Sequence, residues 1–332
     1  MIYVPILKCK KGEKDALDSL NDDLKDQVLP LLEICPDIIA KGTFNGASDF
    51  WENRQYLLDV SPEYRDELTD QESFELLSKC GNEQVIPVVR LYDSDEKIMR
   101  FNNELSNGFA LRLYLEDISD ESFSLEFEHF IQSVNLQNVD LIIDAQSIDT
   151  GELSQKTFLI RAALELVRNI NQFRRVIFAS NSFPSKLDIQ KERLVLLPRE
   201  ESTLFSRVSP LFASYGVTPI YSDYAINHWS YFVFIPGMQP SFNIRYTTED
   251  NYVIYKGLTT KRGGLNIENV RSACQMLVQS PYYFGADFSW GDNEIYLKAV
   301  GETTRSGNPT TWRAIGTNHH ITFILNHLSN QF

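Results

Sequence analysis

One pattern limits the fold more than any other. A short apolar run that closes on a charged or polar residue recurs along the first two thirds of the chain. Residues 3–7 precede Lys8, residues 28–32 precede Glu33, residues 56–58 precede Asp59, and residues 85–89 precede Arg90. Residues 109–111 precede Arg112 and continue through 113–115 to Glu116. Residues 141–143 precede Asp144, residues 176–179 precede Ser180-Asn181, and residues 217–221 precede Ser222-Asp223. Continuous apolar runs this short are what strands buried on both faces look like. Pro5, Pro30, Pro87 and Pro219 are expected near strand starts, where a missing N–H does least harm.

Helix-like stretches lie between the runs, over residues 66–80, 120–134, 153–173 and 200–215, with apolar residues at helical spacing. Strand and helix alternating at this pitch argue for an α/β chain whose parallel sheet closes into a (β/α)8, TIM-like barrel. An open doubly wound sheet fits less well, because its first turn is Gly-rich and only Gly12 lies between Tyr3 and Lys14. After Asp223 the pattern changes. Residues 242–248 and 252–257, joined by Glu249-Asp250-Asn251, alternate as a β-hairpin. A helix is expected over 267–278, and a last one opens near Thr310-Thr311-Trp312-Arg313. The expected division is a barrel over 1–230 and a hairpin and helical extension over 231–332 packed on it.

Composition then removes function classes. The 332 residues carry 31 Lys+Arg against 45 Asp+Glu, a net charge of −14. Ample apolar content (43 %) rules out intrinsic disorder. The charge argues against non-specific nucleic-acid binding, which needs a basic face. No run is long enough for a membrane span, and the opening residues lack the basic-then-apolar order of a signal peptide. Cys9, Cys35, Cys80 and Cys274 form no C-x-x-C pair and read as buried free thiols in a reducing cytosol.

In such barrels the active site lies at the C-terminal strand ends. The run-ending residues are therefore the first candidates. Lys8, Arg90 and Arg112 would hold an anion. Glu33, Asp59, Asp144 and Asp223, with Glu116 as a fifth acid, would move protons or bind a divalent metal such as Mg²⁺. Two structural readings compete with this: first solvated loop residues, or a buried ion-pair ring that only closes the barrel end. The turn Lys8-Cys9-Lys10-Lys11-Gly12-Glu13 could cradle a phosphate but lacks the P-loop pattern. His228 is expected in a loop over the mouth, whereas His129 and His327 fall in helix-like stretches. The adjacent His319 and His320 point about 100° apart on a helix, so they do not easily share a metal. Neither G-x-S-x-G nor H-E-x-x-H occurs.

Residues 3–13, the segment Leu29-Pro30-Leu31-Leu32-Glu33-Ile34, and the closing segment 307–321 (GNPTTWRAIGTNHHI) together resemble the phage-type "beta protein" family, named after a T-even phage protein. The resemblance implies an accessory protein of phages and of bacterial mobile or defence islands. It marks Lys8, Lys10, Glu33, Trp312, Arg313, Asn318 and His319 as family features and transfers no catalytic role.

Two functions follow. One is a barrel hydrolase or lyase acting on a small phosphorylated or nucleotide-like substrate, with Lys10, His228, Arg313, Asn318 and His319 adding to the ligand contacts. The other is a non-catalytic recognition subunit with a co-encoded protein partner, docking through the hairpin tyrosines Tyr246, Tyr252 and Tyr255. A mouth plugged by Arg–carboxylate pairs would favour the second. On the enzyme reading, Glu33→Gln and Asp144→Asn should abolish activity with the melting temperature nearly unchanged.

Overall fold

Each of the eight apolar runs forms a barrel strand. The computed structural model describes residues 2–65, 68–81, 83–232 and 237–331. Strands β1 (Val4–Lys8), β2 (Leu31–Ile34), β3 (Tyr56–Val60), β4 (Val85–Val89), β5 (Phe109–Tyr114), β6 (Val139–Ser147) and β7 (Arg175–Asn181) pair in chain order, all parallel. Strand β8 (Leu194–Pro198) leaves the barrel, and β9 (Ile220–Asp223) closes it between β7 and β1. Pro30 and Pro219 stand just ahead of their strands, as expected, and Pro5 is the second residue of β1. Pro87 is instead central in β4, where the pairing passes from β3 to β5.

Helices Asp70–Ser78, Asp95–Glu104, Phe123–Ser133, Leu153–Leu166 and Glu200–Ser214 cover the barrel wall. Their inward faces share one apolar cluster with the outward faces of β4 to β7, including Phe123, Phe127, Ile160 and Leu204. Local chemistry sets their ends. Thr69 and Glu72 form a capping box ahead of Asp70–Ser78. The stretch 153–173 is broken after Leu166, because Asn169 adopts a left-handed φ of 56° before a short 3-10 turn.

The expected hairpin is β10 (Ser241–Thr247) and β11 (Asn251–Thr259), and β8 joins it as a third antiparallel strand. The small sheet thus draws one strand from before residue 230 and two from after it. Its aromatic face packs on helices Ile267–Val278 and Trp290–Val300. The C-terminal helix Pro309–Gln331 joins the two parts. Its Ile321, Ile324 and Leu325 pack against Tyr3, Leu7 and Tyr221 on the barrel wall, and its Trp312 and Ile315 pack under the sheet. All four cysteines are free and buried, and burial raises the thiols to about 11 or 12. Among the described residues no helix is long and apolar enough to cross a membrane.

Gly291 marks a close helix crossing. A Cβ there would lie 2.3 Å from the carbonyl oxygen of Ile315 on the C-terminal helix. Replacing a helical Gly by Ala usually stabilises by up to about 1 kcal/mol. Here the backbone clash reverses the sign, so Gly291→Ala should lower the midpoint of thermal unfolding followed by circular dichroism.

Candidate functional site

Side chains alternate across a strand, so the inward positions can be followed along each run. Ile6, Leu31, Leu57, Val88, Ala110 and Ile142 belong to one apolar cluster inside the barrel. Two residues further along the same faces come Lys8, Glu33, Asp59, Arg90, Arg112 and Asp144. Lys8, Glu33 and Asp59 lie at the same level on adjacent strands. All six are buried.

Arg112 is the hub. Its Nη1 donates to Glu33 Oε1 at 2.8 Å and to Asp59 Oδ2 at 2.7 Å. Its Nη2 donates to Asp144 Oδ2 and to the Tyr224 hydroxyl, both at 2.6 Å, and its Nε reaches Asp144 Oδ2 at 2.9 Å. Tyr224 donates in turn to Asp144 Oδ2 at 2.5 Å. Arg90 Nη2 reaches Asp59 Oδ2 at 2.7 Å and Tyr114 at 3.0 Å. Lys8 pairs with Glu33 Oε2 and donates to the Trp229 carbonyl at 2.7 Å. The backbone N–H groups of Val60 and Gln146 donate to the second oxygens of Asp59 and Asp144. Every oxygen of the three acids therefore accepts at least one hydrogen bond, and three cations balance three carboxylates. Burial opposes the charge of Arg112, but Tyr114, Tyr224, Asp144 and Glu33 outweigh it and raise the guanidinium well above its ordinary range. Arg90 is raised against the same burial by Asp59 and Tyr114. The mouth is thus the ion-pair ring of the competing reading. Its acids are committed to Arg and Lys, and among the described residues no group of three or more His, Cys, Asp or Glu side chains is arranged to hold a metal.

Beside the ring, with Lys8 on its wall, opens a cavity of about 570 Å³. It is bounded by Lys10, Lys11 and Glu13 at the start of helix Lys11–Asp18, by Phe183 after β7 and His228 after β9, by Arg245 on β10, and by Trp312 and Arg313 on the C-terminal helix. Glu13 is the only carboxylate among the described lining residues. Among the described residues Arg245 is hydrogen-bonded to neutral groups only: the Ile226 carbonyl at 2.6 Å, Asn243 Oδ1 at 2.9 Å and Asn227 Oδ1 at 3.2 Å. Its guanidinium lies 4.6 Å from the centre of the Phe183 ring, and Lys10 Nζ lies 4.5 Å from that of Tyr231. Arg313 has no hydrogen bond or ion pair among the described residues; Glu13 attracts it from beyond ion-pair distance. Burial and then the charge of Arg313 push Arg245 well below its ordinary range. Burial also lowers Arg313, against the pull of Glu13, and raises the Glu13 carboxyl. His228 is half-buried, its Nδ1 within 2.7 Å of Ser230 Oγ, and is lowered by burial and by Lys8. The arrangement suits an anion: among the described residues neither guanidinium is bonded to a carboxylate, and aromatic faces hold cations without neutralising them.

The family model named Beta protein matches residues 3–326, across barrel, ring and extension. The chain belongs to the Beta protein family. A curated relative, "Protein beta" of Enterobacteria phage P4, is 24 % identical over an alignment of 355 positions that covers 96 % of this chain and 91 % of that protein. The relative found is a phage P4 protein, where the sequence reading expected a T-even phage namesake.

The structure moves several candidates of this Beta-family chain away from the site. Asp223 is not in the mouth. Ile220 on β9 and Tyr224 just after it point inward, so Asp223 faces out, under the C-terminal helix. It accepts from Tyr3 at 2.5 Å, from Tyr221 at 3.0 Å and from the Ala225 N–H at 2.9 Å, and stands 3.0 Å from His320 Nε2. His319, expected at the ligand, is fully buried between Asp292 and the Thr247 carbonyl, each at 2.8 Å, with its ring stacked on Tyr246. Asn318 ties helices together, accepting from Gly291 N–H and donating to the Ala16 carbonyl. Glu116 is exposed on a short helix beyond β5. The hairpin tyrosines are no docking surface, since Tyr246, Tyr252 and Tyr255 are all buried. Lys8, Lys10, His228 and Arg313 do line the cavity, whereas Arg90 and Arg112 belong to the ring. The sequence reading missed Arg245, Tyr114 and Tyr224. Arg245 alone had a signal, as the one charge on the alternating residues 242–247.

Two outcomes follow from this geometry. Glu33→Gln and Asp144→Asn should each lower the melting temperature markedly, contrary to the expectation drawn from sequence. Removing one charge of a buried pair typically costs about 3–5 kcal/mol, and calorimetry of the variants checks this. Acid should also act through Asp223. Burial raises its carboxyl, but His320 and Tyr3 outweigh this and hold it at about 2, below the unfolded value of 3.8. A depressed carboxyl stabilises the fold above 3.8 and loses that contribution as pH falls toward 2. Asp223→Asn should flatten the stability profile over that interval.

Proposed function

We propose that the protein is a recognition module that binds a small phosphorylated, nucleotide-like ligand in the cavity beside the ring. One observation carries this reading: in a chain of net charge −14, Arg245 and Arg313 face one cavity with no carboxylate of the described residues bonded to either. An anion there would relieve the repulsion between them. Lys10 and Lys11, at the start of an eight-residue helix, add charge to the same wall. Phe183, Phe242 and Trp312 offer apolar surface for the rest of the molecule. A volume of about 570 Å³ is in the range of small-molecule sites. Hydrolysis by Glu33, Asp59 or Asp144 is disfavoured, because each acid is fully engaged by donors.

The setting is an accessory role in a phage or bacterial defence or mobile-element system, with a co-encoded protein as partner. The phage P4 relative supports the setting, and four buried free thiols support the cytoplasm as the compartment.

The test is mass spectrometry of small molecules released from the purified protein, with metal analysis, followed by titration with nucleotides and inorganic phosphate. Arg313→Ala should weaken nucleotide binding by about tenfold or more, the worth of a charge-assisted hydrogen bond. It should change the melting temperature little, because Arg313 has no hydrogen bond or ion pair among the described residues and its burial cost offsets the pull of Glu13. If nothing is released and the parent and Arg313→Ala proteins titrate alike, the reading fails. Turnover of the bound nucleotide would favour the hydrolase instead.

A further inference from the structure

The helix Leu153–Leu166 is apolar on two faces. Ile160, Ala163 and Leu164 pack into the core, as a barrel helix requires. The opposite side carries Phe158, Ala162 and Leu166, four residues apart, with Leu159 alongside. Phe158 is 69 % exposed, Leu166 43 % and Leu159 42 %. On the helix Phe123–Ser133, Leu125 is 73 % exposed. A stripe at i, i+4 and i+8 that faces water is the pattern of a helix that packs against another helix. Arg161 and Glu165 are exposed along one edge of this stripe, and neither forms an ion pair among the described residues.

We propose that this stripe is a self-association surface, on which a second copy of the chain docks the same helix antiparallel about a two-fold axis. The residue order argues for a second copy. Phe158 and Leu166 are symmetric about Ala162, so each large apolar side chain meets the other kind across the axis. The small Ala162 at the centre lets the helices approach. Arg161 and Glu165 are symmetric about the next residue, Ala163, so each arginine lies about 3 Å along the axis from the level of the partner's Glu165, within reach of its long side chain, and the pair occurs twice, as an isologous interface requires. Antiparallel pairing brings these opposite charges together, whereas parallel pairing sets like charges side by side. One helix face is a modest area, so the dimer is reversible.

Sedimentation of the full chain over a wide concentration range tests this. The expected result is a concentration-dependent monomer–dimer equilibrium. Phe158→Glu should raise the dimer dissociation constant at least tenfold while leaving the melting temperature of the dilute protein unchanged, because the side chain is exposed. Arg161→Glu should weaken the dimer, and Arg161→Glu combined with Glu165→Arg should restore it. A chain that stays monomeric at every concentration, or a dimer indifferent to Phe158→Glu, overturns the proposal. So does a monomer that retains a different polypeptide through this face.

Discussion

The barrel depends on Arg112. One wholly buried guanidinium bonds carboxylates from β2, β3 and β6 and so ties three strands across the mouth. A closed eight-stranded sheet must fill its own centre. Apolar side chains do this up to Ile6, Leu31 and Ala110, and the next layer meets the polar end of the barrel. Charges survive in that layer only because they cancel and because each acceptor has its donor. Such a network adds little net stability over an apolar core, but it leaves no member dispensable. Glu33, Asp59 and Asp144 are therefore each held by an arginine, for the same reason that they are close together.

The cavity handles its cations by a different physical route. In the ring each cation meets carboxylates. In the cavity Arg245 lies on Phe183 and Lys10 over Tyr231, so the charges are positioned without being neutralised. Lys8 belongs to both places, bonded to Glu33 and present on the cavity wall. The overall charge of −14 is consistent with this local basic site, since acid-rich stretches such as residues 15–26 and 117–128 lie on the helical exterior.

The C-terminal helix joins the barrel to the extension through consecutive histidines. Their directions differ by about 100°, which lets His320 meet Asp223 on the barrel while His319 meets Asp292 in the extension. That angle, which argued against a shared metal, turns out to serve two separate acids. The helix is buried on most sides, so its polar residues Asn318, His319 and His320 are internal partners of other elements.

The sequence by itself determined the barrel. Eight apolar runs give eight strands, because strands covered on both faces need continuous apolar residues whatever their neighbours are. It also nominated Lys8, Glu33, Asp59, Arg90, Arg112 and Asp144 as charges at the strand ends, but together with Glu116 and Asp223, which do not share their layer. On β9 a two-residue period would have turned Asp223 outward, but the inward face of a strand is known only once its neighbours are in place. Only the tertiary structure decided that the ring is closed, that β8 deserts the barrel for the hairpin, and that Arg245 and Arg313 meet beside Lys10. These are contacts between segments far apart in the chain, and a local pattern of polarity and spacing carries no information about which distant segment will face it.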